Sequence, residues 1–400
     1  MSFFFMITCH CCIDTTESDK RVSTFDNKLF ISINTRKKNI LIFNMPSNTL
    51  SFLLSNNFQW LWKSNNVDAE STENDQWERY TDIDNDIIEH AFHRNQSNVE
   101  LDEERTIDLH NMLQHSQGKS YPIKRTILAQ RRRIEPLKQE RFNATIPLDI
   151  PTKNPPNVLS MMRHFSHISN IYRYSLGFNR NKPVLDILKE SIEGIMKEGT
   201  IHNKEHSAKQ LVEYLECIQE YAEDLVPYEI IPAEIGDMLA HMFTKDSFWY
   251  KLINQITRNL KTRESDKVQT IGPFCYLLNE YLKWNIKTPD CPIVYRGIDL
   301  TDEERLNFMK SDIQFLSFTS TSKKRQVADI YGNTLLVIEL RQPTTRCGSD
   351  ISQISNFPEE EEFLILPGSV FDFIKYEYDQ LNSKHIHYLK ESWRNADAGC

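Results

Sequence analysis

The sequence predicts an α+β protein whose helices and strands are segregated along the chain instead of alternating. Three observations predict it. Residues from about 180 to 285 carry apolar side chains at helical spacing, and after Pro292 the pattern changes to short β runs. Ahead of both, from about residue 56 to 128, an aromatic-rich stretch combines extended segments with one amphipathic helix.

In chain order, residues 1–50 hold two apolar runs, "KLFISI" and "NILIF", split by a basic "TRKK"; they read either as strands or as an ill-defined extension. "QWLWKS" and "QWERYTD" then read as strands, "DIDNDIIEHAFHRN" as a helix, and "RTIDLHNMLQH" and "YPIKRTIL" as further extended segments. The stretch "QRRRIEPLKQER", read as a solvated linker, leads to "IPLDIPTKNPPN", whose prolines break regular structure. In "EHSAKQLVEYLECIQEYAEDL" the apolar positions 208, 211, 212, 215, 218, 222 and 225 keep to one helical face. "SFWYKLINQITRNL" and "PFCYLLNEYLKW" read the same way. The β runs that follow are "IVYRG", "IQFLSFTSTS", "TLLVIEL", "EFLIL", "VFDFIKY" and "HIHYL". Among them "TDEERLNFM" is a helix, with Thr301 as N-cap and Glu304 completing a capping box.

Composition narrows the function classes. The 40% hydrophobic content and 22 Phe in 400 residues indicate a globular chain, long enough for two or three cores. No apolar run approaches the roughly 18 residues of a membrane helix. The apolar start lacks a basic flank and is interrupted by His10 and Cys12, which argues against a secretory signal. Eight Cys without framework spacing suggest free thiols and an intracellular protein, cytoplasmic or nuclear. A net charge of −9 argues against general nucleic-acid binding, although Lys119–Arg141 holds eight Lys/Arg against two Glu. No two of the 11 Gly lie within three residues of each other, so there is no glycine-rich phosphate loop. Cys9 and Cys12 form a CxxC with no second pair at finger spacing, and no metal site is expected.

Three segments of the strand-rich part carry polar residues that plain strands do not need. They are Tyr295-Arg296-Gly297, Phe318-Thr319-Ser320-Thr321-Ser322, and the acidic run Glu359–Glu362 entering the strand Phe363 to Leu366. Singly, each has an ordinary reading as a surface cation, a turn or a solvated loop. Together and in this order, they resemble the R-S-E signature of arginine-specific mono-ADP-ribosyltransferases, over about residues 180–390. The helices resemble that family's α-lobe, and "SDISQISNFP" resembles the loop before its catalytic Glu.

The resemblance implies a two-sheet, strand-rich core that binds NAD as a substrate, and transfer of ADP-ribose to arginine on a protein with inversion at the anomeric carbon. Cleaving the bond to nicotinamide passes through an oxocarbenium-like state, as in glycoside hydrolysis. A carboxylate beneath the ribose stabilises that cation, the role the family pattern gives to Glu362. Two residues earlier in an extended segment lies the same face, where Glu360 engages the acceptor guanidinium. The implied catalytic set is Arg296, Ser320, Glu360 and Glu362. Arg296 holds the diphosphate or ribose by its fork of donors. Ser320 bonds in the nicotinamide-ribose pocket and positions Glu362, and Gly297 lets backbone groups meet the nicotinamide amide. Tyr295, Thr321 and Ser322 complete the NAD-binding set, and Phe357 contacts the acceptor. Two rival readings are a non-catalytic ADP-ribose-binding adaptor and an NAD glycohydrolase, which breaks the same bond with water as acceptor.

The aromatic-rich unit resembles a WWE domain, an α+β half-barrel, through Trp60, Trp77 followed by Tyr80, the helix ending "IIEHAF", Asp108, Gln114 and the pair Lys124-Arg125. Many such domains bind poly(ADP-ribose). That implies Trp60, Gln114, Lys124 and Arg125 as the polymer-binding residues. Where binding members commonly carry an aromatic, a Tyr and an Arg, this chain has Leu61, Arg105 and, near the third position, Tyr121. The expected division is 1–50 extension, 51–130 WWE-like domain, 131–178 linker and 179–395 transferase.

Overall fold

The structure is a computed structural model. It describes the backbone of residues 20–25, 28–35, 38–46, 148–149 and 258, and describes fully 58–63, 77–127, 167–176, 182–223, 225, 231–257, 267–285, 287–309, 313–393 and 395. The Cys9–Cys12 pair and the basic run 130–141 lie outside the described residues.

Lys20–Phe25 (β1), Lys28–Thr35 (β2) and Lys38–Pro46 (β3) form an antiparallel three-stranded sheet. The two apolar runs left open between strand and extension fall in β2 and β3. Next come Phe58–Lys63 (β4), Trp77–Arg79 (β5), the helix Asp82–His93 (α1), Asn98–Leu101 (β6), Arg105–Asp108 (β7), Leu113–Ser116 (β8) and Lys119–Ile127 (β9). Their strands pair antiparallel in the order β5-β4-β9-β8-β7-β6. Helix α1 starts where Thr81 accepts the Asp84 amide, as Thr at an N-cap does. Ile88 and Ala91 of α1 pack on Trp60, Tyr80, Ile107 and Ile123 as the core of this unit.

Leu148–Asp149 (β10) pairs with a strand of the C-terminal sheet. The helical lobe comprises Ile168–Ser175 (α2), Val184–Ile201 (α3), Glu205–Glu216 (α4), Ala233–Thr244 (α5), Phe248–Arg258 (α6) and Lys267–Trp284 (α7). Helix α2 falls at the end of the stretch expected to link the two units, yet its Ile168 and Tyr172 are buried in the lobe's core. Two boundaries differ from the sequence expectation. The helix beginning at Glu205 ends at Glu216, and a separate 3-10 turn, Gln219–Ala222, places the remaining apolar residues. Helix α7 starts six residues before Pro273, which sits inside it. Helices α3 and α7 approach so closely that a Cβ at Gly194 would stand 2.0 Å from the Thr270 carbonyl oxygen.

The strand-rich lobe contains Ile293–Ile298 (β11), Asp302–Phe308 (α8), Ile313–Phe315 (β12), Thr319–Ser322 (β13), Arg325–Asp329 (α9), Thr334–Glu339 (β14), Gly348–Asp350 (β15), Glu362–Ile365 (β16), Val370–Asp379 (β17) and Lys384–Glu391 (β18). Helix α8 carries the expected Thr301/Glu304 capping box. The strands follow the order β10-β12-β17-β18-β14-β11-β13-β16-β15. Strands β11 and β13 pair only at Tyr295 and Ser322, so this order splits into two sheets that share one residue pair. That is the two-sheet core expected. Strand β16 alternates across it. Phe363 and Ile365 pack with Val294, Phe315 and Phe371, whereas Leu364 and Leu366 pack into the helical lobe.

The WWE-like unit is joined to the helical lobe through α1. Ile83 lies within the helical lobe's core, so α1 has two apolar faces. Around Ile83 the contacts are polar and buried. Lys245 Nζ is 2.7 Å from Asp86 Oδ2, which also accepts from the Tyr214 hydroxyl at 2.5 Å. Burial opposes ionisation of Asp86, but the Lys245 ammonium and the Tyr214 hydroxyl hold its carboxyl below the usual carboxylate range. Asp102, at the end of β6, accepts the His206 and Ser207 amides and so caps α4 from the other unit. Among the described residues no helix is long and apolar enough to cross a membrane.

Candidate active site

Three strands position the candidate residues. β13 and β16 are antiparallel neighbours with Ser322 opposite Glu362, Thr321 opposite Phe363 and Ser320 opposite Leu364. Cross-strand partners share a face, and so do residues two apart. Ser320, Ser322, Glu362 and Leu364 therefore lie on one face, and Leu364 marks it as the face toward the helical lobe. Arg296, in the middle of β11, sends Nη1 to the Ser320 carbonyl oxygen at 2.6 Å. This guanidinium is 2% exposed, so a full positive charge lies beside the β13 backbone in a low-dielectric setting.

The four glutamates are arranged differently from the extended segment expected. Pro358–Glu360 is a 3-10 turn, Glu361 adopts left-handed backbone at φ 47°, and the strand begins only at Glu362. The four differ in burial. Glu360 and Glu362 are both 0% exposed, while Glu359 and Glu361 are half-buried. Left-handed backbone is uncommon for Glu and is held here from outside. Lys324 Nζ bonds the Glu359 carbonyl oxygen and pairs with the Glu361 carboxylate, each at 3.0 Å. The Lys323 amide donates to the Glu361 carbonyl oxygen.

Other polar groups fix the inner pair. Ser322 Oγ donates to the Glu360 carbonyl oxygen at 2.5 Å and accepts the Lys324 amide, so it ties β13 to the acidic turn. Ser355 Oγ donates to Glu362 Oε2 at 3.0 Å and accepts the Phe357 amide at 3.2 Å. Sequence reasoning gave the positioning of Glu362 to Ser320; in the structure the hydroxyl on this carboxylate is that of Ser355. Ser355 stands inside the quoted loop "SDISQISNFP", but nothing in that loop distinguishes it from Ser349 or Ser352. Phe357 is buried, and its carbonyl oxygen accepts the Glu360 amide, so the acceptor-side aromatic is built into the turn that carries Glu360.

Two residues of the expected NAD set lie elsewhere. Thr321 points away from Ser320 and Glu362, and its hydroxyl donates to the Phe363 carbonyl oxygen at 2.7 Å. Tyr295 packs with Ala328, Leu335, Val337 and Ile386 on the side of β11 opposite Arg296. Tyr295 is nonetheless the β11 residue that pairs with Ser322 of β13. Gly297 has a local structural reason, since a Cβ there would stand 2.2 Å from the Ala328 carbonyl oxygen and 2.5 Å from that of Tyr331.

The expected polymer-binding residues are largely engaged within their own unit. Trp60 is fully buried and donates its indole N–H to Glu89 at 2.8 Å, so its ring is core and offers no surface for adenine. Arg125 bonds the same Glu89 through two nitrogens, and Gln114 accepts the Tyr80 hydroxyl. Lys124 differs. It lies at the half-buried surface with Nζ 3.8 Å above the Trp77 ring. Arg105 pairs with Asp84 at 3.0 Å, and Tyr121 contacts the Trp62 ring edge-on. No cluster of three or more His, Cys, Asp or Glu suited to a metal occurs among the described residues.

Parts of the chain are similar to known proteins. Residues 232–396 match the family "NAD:arginine ADP-ribosyltransferase", and residues 58–125 match the WWE domain. Over 171 residues, 40% of this chain, the sequence is 36% identical to NAD(P)(+)--arginine ADP-ribosyltransferase 1 of Gallus gallus. The chain spans about half, 51%, of that relative's length. Similar solved structures include the type III effector XopAI of Xanthomonas axonopodis pv. citri, at 13% identity and TM-score 0.40, covering 59% of this chain and 100% of that one. Another is the ADP-ribosyltransferase HopU1 of Pseudomonas syringae pv. Tomato DC3000, at 18% identity and TM-score 0.35, covering 52% and 97%. Residues 232–396 of this chain are thus similar to the NAD:arginine ADP-ribosyltransferase family, and residues 58–125 to the WWE domain.

Proposed function

We propose that the chain transfers ADP-ribose from NAD to arginine side chains of proteins, with Glu362 and Glu360 dividing the work. The observation that carries this reading is the pair of fully buried glutamates at the mouth of β16, within a region that matches the transferase family. Cleavage of the bond between the ribose and nicotinamide leaves positive charge on the ribose. A carboxylate held away from water interacts with that charge far more strongly than one in solvent. Glu362 supplies it, oriented by Ser355. Arg296 holds the diphosphate or ribose, and Ser320 and Ser322 line the same face as Glu362. Because Glu362 has no exposure, NAD binding includes displacement of the groups that cover it.

Glu360 receives the acceptor guanidinium and takes its proton as the nitrogen attacks the anomeric carbon. The C–N bond to nicotinamide breaks as the new C–N bond forms on the opposite face, which inverts that carbon and releases neutral nicotinamide. Phe357 borders the acceptor. The transferase unit begins within the stretch expected as linker, since α2 is buried in the helical lobe's core and β10 pairs in the strand-rich sheet, in an intracellular protein, and no metal takes part. The WWE domain binds poly(ADP-ribose) through a surface that includes Lys124 over Trp77. Labelled poly(ADP-ribose) is expected to bind the full chain and to bind Lys124→Ala more weakly; undetectable binding to the unsubstituted chain would remove this partner.

The transfer reading is tested by incubating the purified chain with labelled NAD and agmatine. The expected product is ADP-ribosyl-agmatine with release of nicotinamide. Nicotinamide without the conjugate would make the protein a glycohydrolase. Neither product would leave only an ADP-ribose-binding adaptor.

A further inference from the structure

The first turn of α1 belongs to the WWE domain, yet it touches the loop that leads into the candidate catalytic glutamates. Asp82 Oδ2 accepts two hydrogen bonds from the other unit, one from the Asp246 amide and one from Asn356 Nδ2, both at 2.8 Å. All three residues are buried. The Asn356 amide is held by Thr244 Oγ1 at 2.8 Å, and Thr244 ends α5. His241, one turn earlier on α5, donates from Nδ1 to the Ile354 carbonyl oxygen at 3.0 Å. Residues 354–356 are therefore fixed by α5 on one side and by a WWE carboxylate on the other. Between these anchors sits Ser355, whose hydroxyl orients Glu362, and after them comes Phe357.

We propose that Asp82 is a positioning residue for the transferase: it holds Asn356, and through residues 355–357 it sets Glu362 and the acceptor-side Phe357. The WWE domain is then part of the catalytic machinery's support, in addition to any ligand it binds. A buried donor that loses its acceptor retains its desolvation cost, so removing the Asp82 carboxylate leaves the Asp246 amide and the Asn356 side chain seeking other partners. The loop shifts to supply them. Asparagine at position 82 keeps one carbonyl oxygen that can accept both bonds; alanine keeps none.

The proposal rests on the transferase reading for its activity readout, so its test pairs that readout with one independent of turnover. In the full chain, Asp82→Ala and Asn356→Ala are each expected to lower kcat for agmatine modification by about 10- to 100-fold, equivalent to about 1.4–2.8 kcal/mol. KM for NAD should change by less than about threefold, Asp82→Asn should restore most of kcat, and the double alanine variant should be no worse than either single. Hydrogen exchange of the peptide covering 351–362 should accelerate in both alanine variants and return toward normal in Asp82→Asn. Unchanged exchange and unchanged kcat in a folded Asp82→Ala protein would overturn the proposal, as would additive losses in the double variant. If the unsubstituted chain shows no turnover while exchange still accelerates in the alanine variants, the transferase reading fails and the positioning of the loop by Asp82 stands.

Discussion

Replacing Lys245 by Met tests whether the two units share one stabilising interface. Lys245 and Asp86 are 1% and 3% exposed at their side chains, and their ion pair is completed by the Tyr214 hydroxyl. Met matches much of the Lys volume but leaves the Asp86 carboxylate buried without its cation. Breaking a buried pair on one side costs about 3–5 kcal/mol, a large share of the roughly 5–15 kcal/mol that holds a typical protein folded. Replacing both residues, Lys245→Met with Asp86→Leu, removes the stranded charge. It leaves the Tyr214 hydroxyl without its acceptor, at about 1–3 kcal/mol. The double variant should therefore be more stable than Lys245→Met alone by about 2 kcal/mol. Urea unfolding followed by tryptophan fluorescence measures this, because Trp60 lies in the WWE core and Trp249 in the helical lobe. With a slope of about 3 kcal/mol/M, Lys245→Met should lower the midpoint by about 1–1.7 M. A single variant within about 1 kcal/mol of the unsubstituted chain would refute the reasoning, as would a double variant no better than the single.

Two further outcomes follow from the same interface and from the acidic turn. Burial, aided by the Lys245 charge, pushes the His241 imidazole down to about 3, against about 6.5 for the unfolded chain. The unfolded state then takes up the proton first as pH falls, so this contribution is complete above pH 6.5 and is lost on descending toward pH 3. Between pH 6.5 and 5 the loss is about 2 kcal/mol, and His241→Gln should remove it from the difference in urea midpoints; an unchanged difference would contradict the assignment. For the left-handed Glu361, Gly at that position tolerates the backbone without strain, so Glu361→Gly should leave turnover within about threefold, and a collapse of turnover would show that the Glu361 side chain does more than pair with Lys324.

Much of the fold was legible because local chemistry and tertiary structure agree. Thr301 and Glu304 are three residues apart, as a capping box requires, and the helix starts there. The strand runs "IVYRG", "TLLVIEL" and "HIHYL" are apolar because neighbours cover them, and each is a strand. Disagreement begins where tertiary contacts decide. Pro273 reads as a helix start, since a first-turn proline loses no hydrogen bond, but α7 is packed along its length and continues through it. The stretch "DIDND" reads only as the start of a helix. Asp82 and Asp86 instead face another unit, and the local signal for that was the second apolar stripe begun by Ile83.

At the site, the order of Arg296, Ser320 and the glutamates was legible, and Glu360 and Glu362 are the two glutamates that are buried. The turn that sets that pair was not legible, because four identical residues carry no sign of which one is left-handed. Adjacent residues on a strand face opposite ways, so Thr321 does not share the face of Ser320 and Ser322. Ser355 was overlooked because its value lies in reaching Glu362 across a loop closure fixed by Thr244, His241 and Asp82, none of which is near it in sequence.

The measurement that bears most directly on the division of labour between the two buried glutamates is a parallel assay of Glu362→Gln and Glu360→Gln with labelled NAD and agmatine. Glu362→Gln should lose both ADP-ribosyl-agmatine and nicotinamide release by at least about 100-fold, the scale of removing one preorganised electrostatic group. Glu360→Gln should lose the conjugate while nicotinamide release continues. Wild-type nicotinamide release from Glu362→Gln, or undiminished conjugate from Glu360→Gln, would contradict the account.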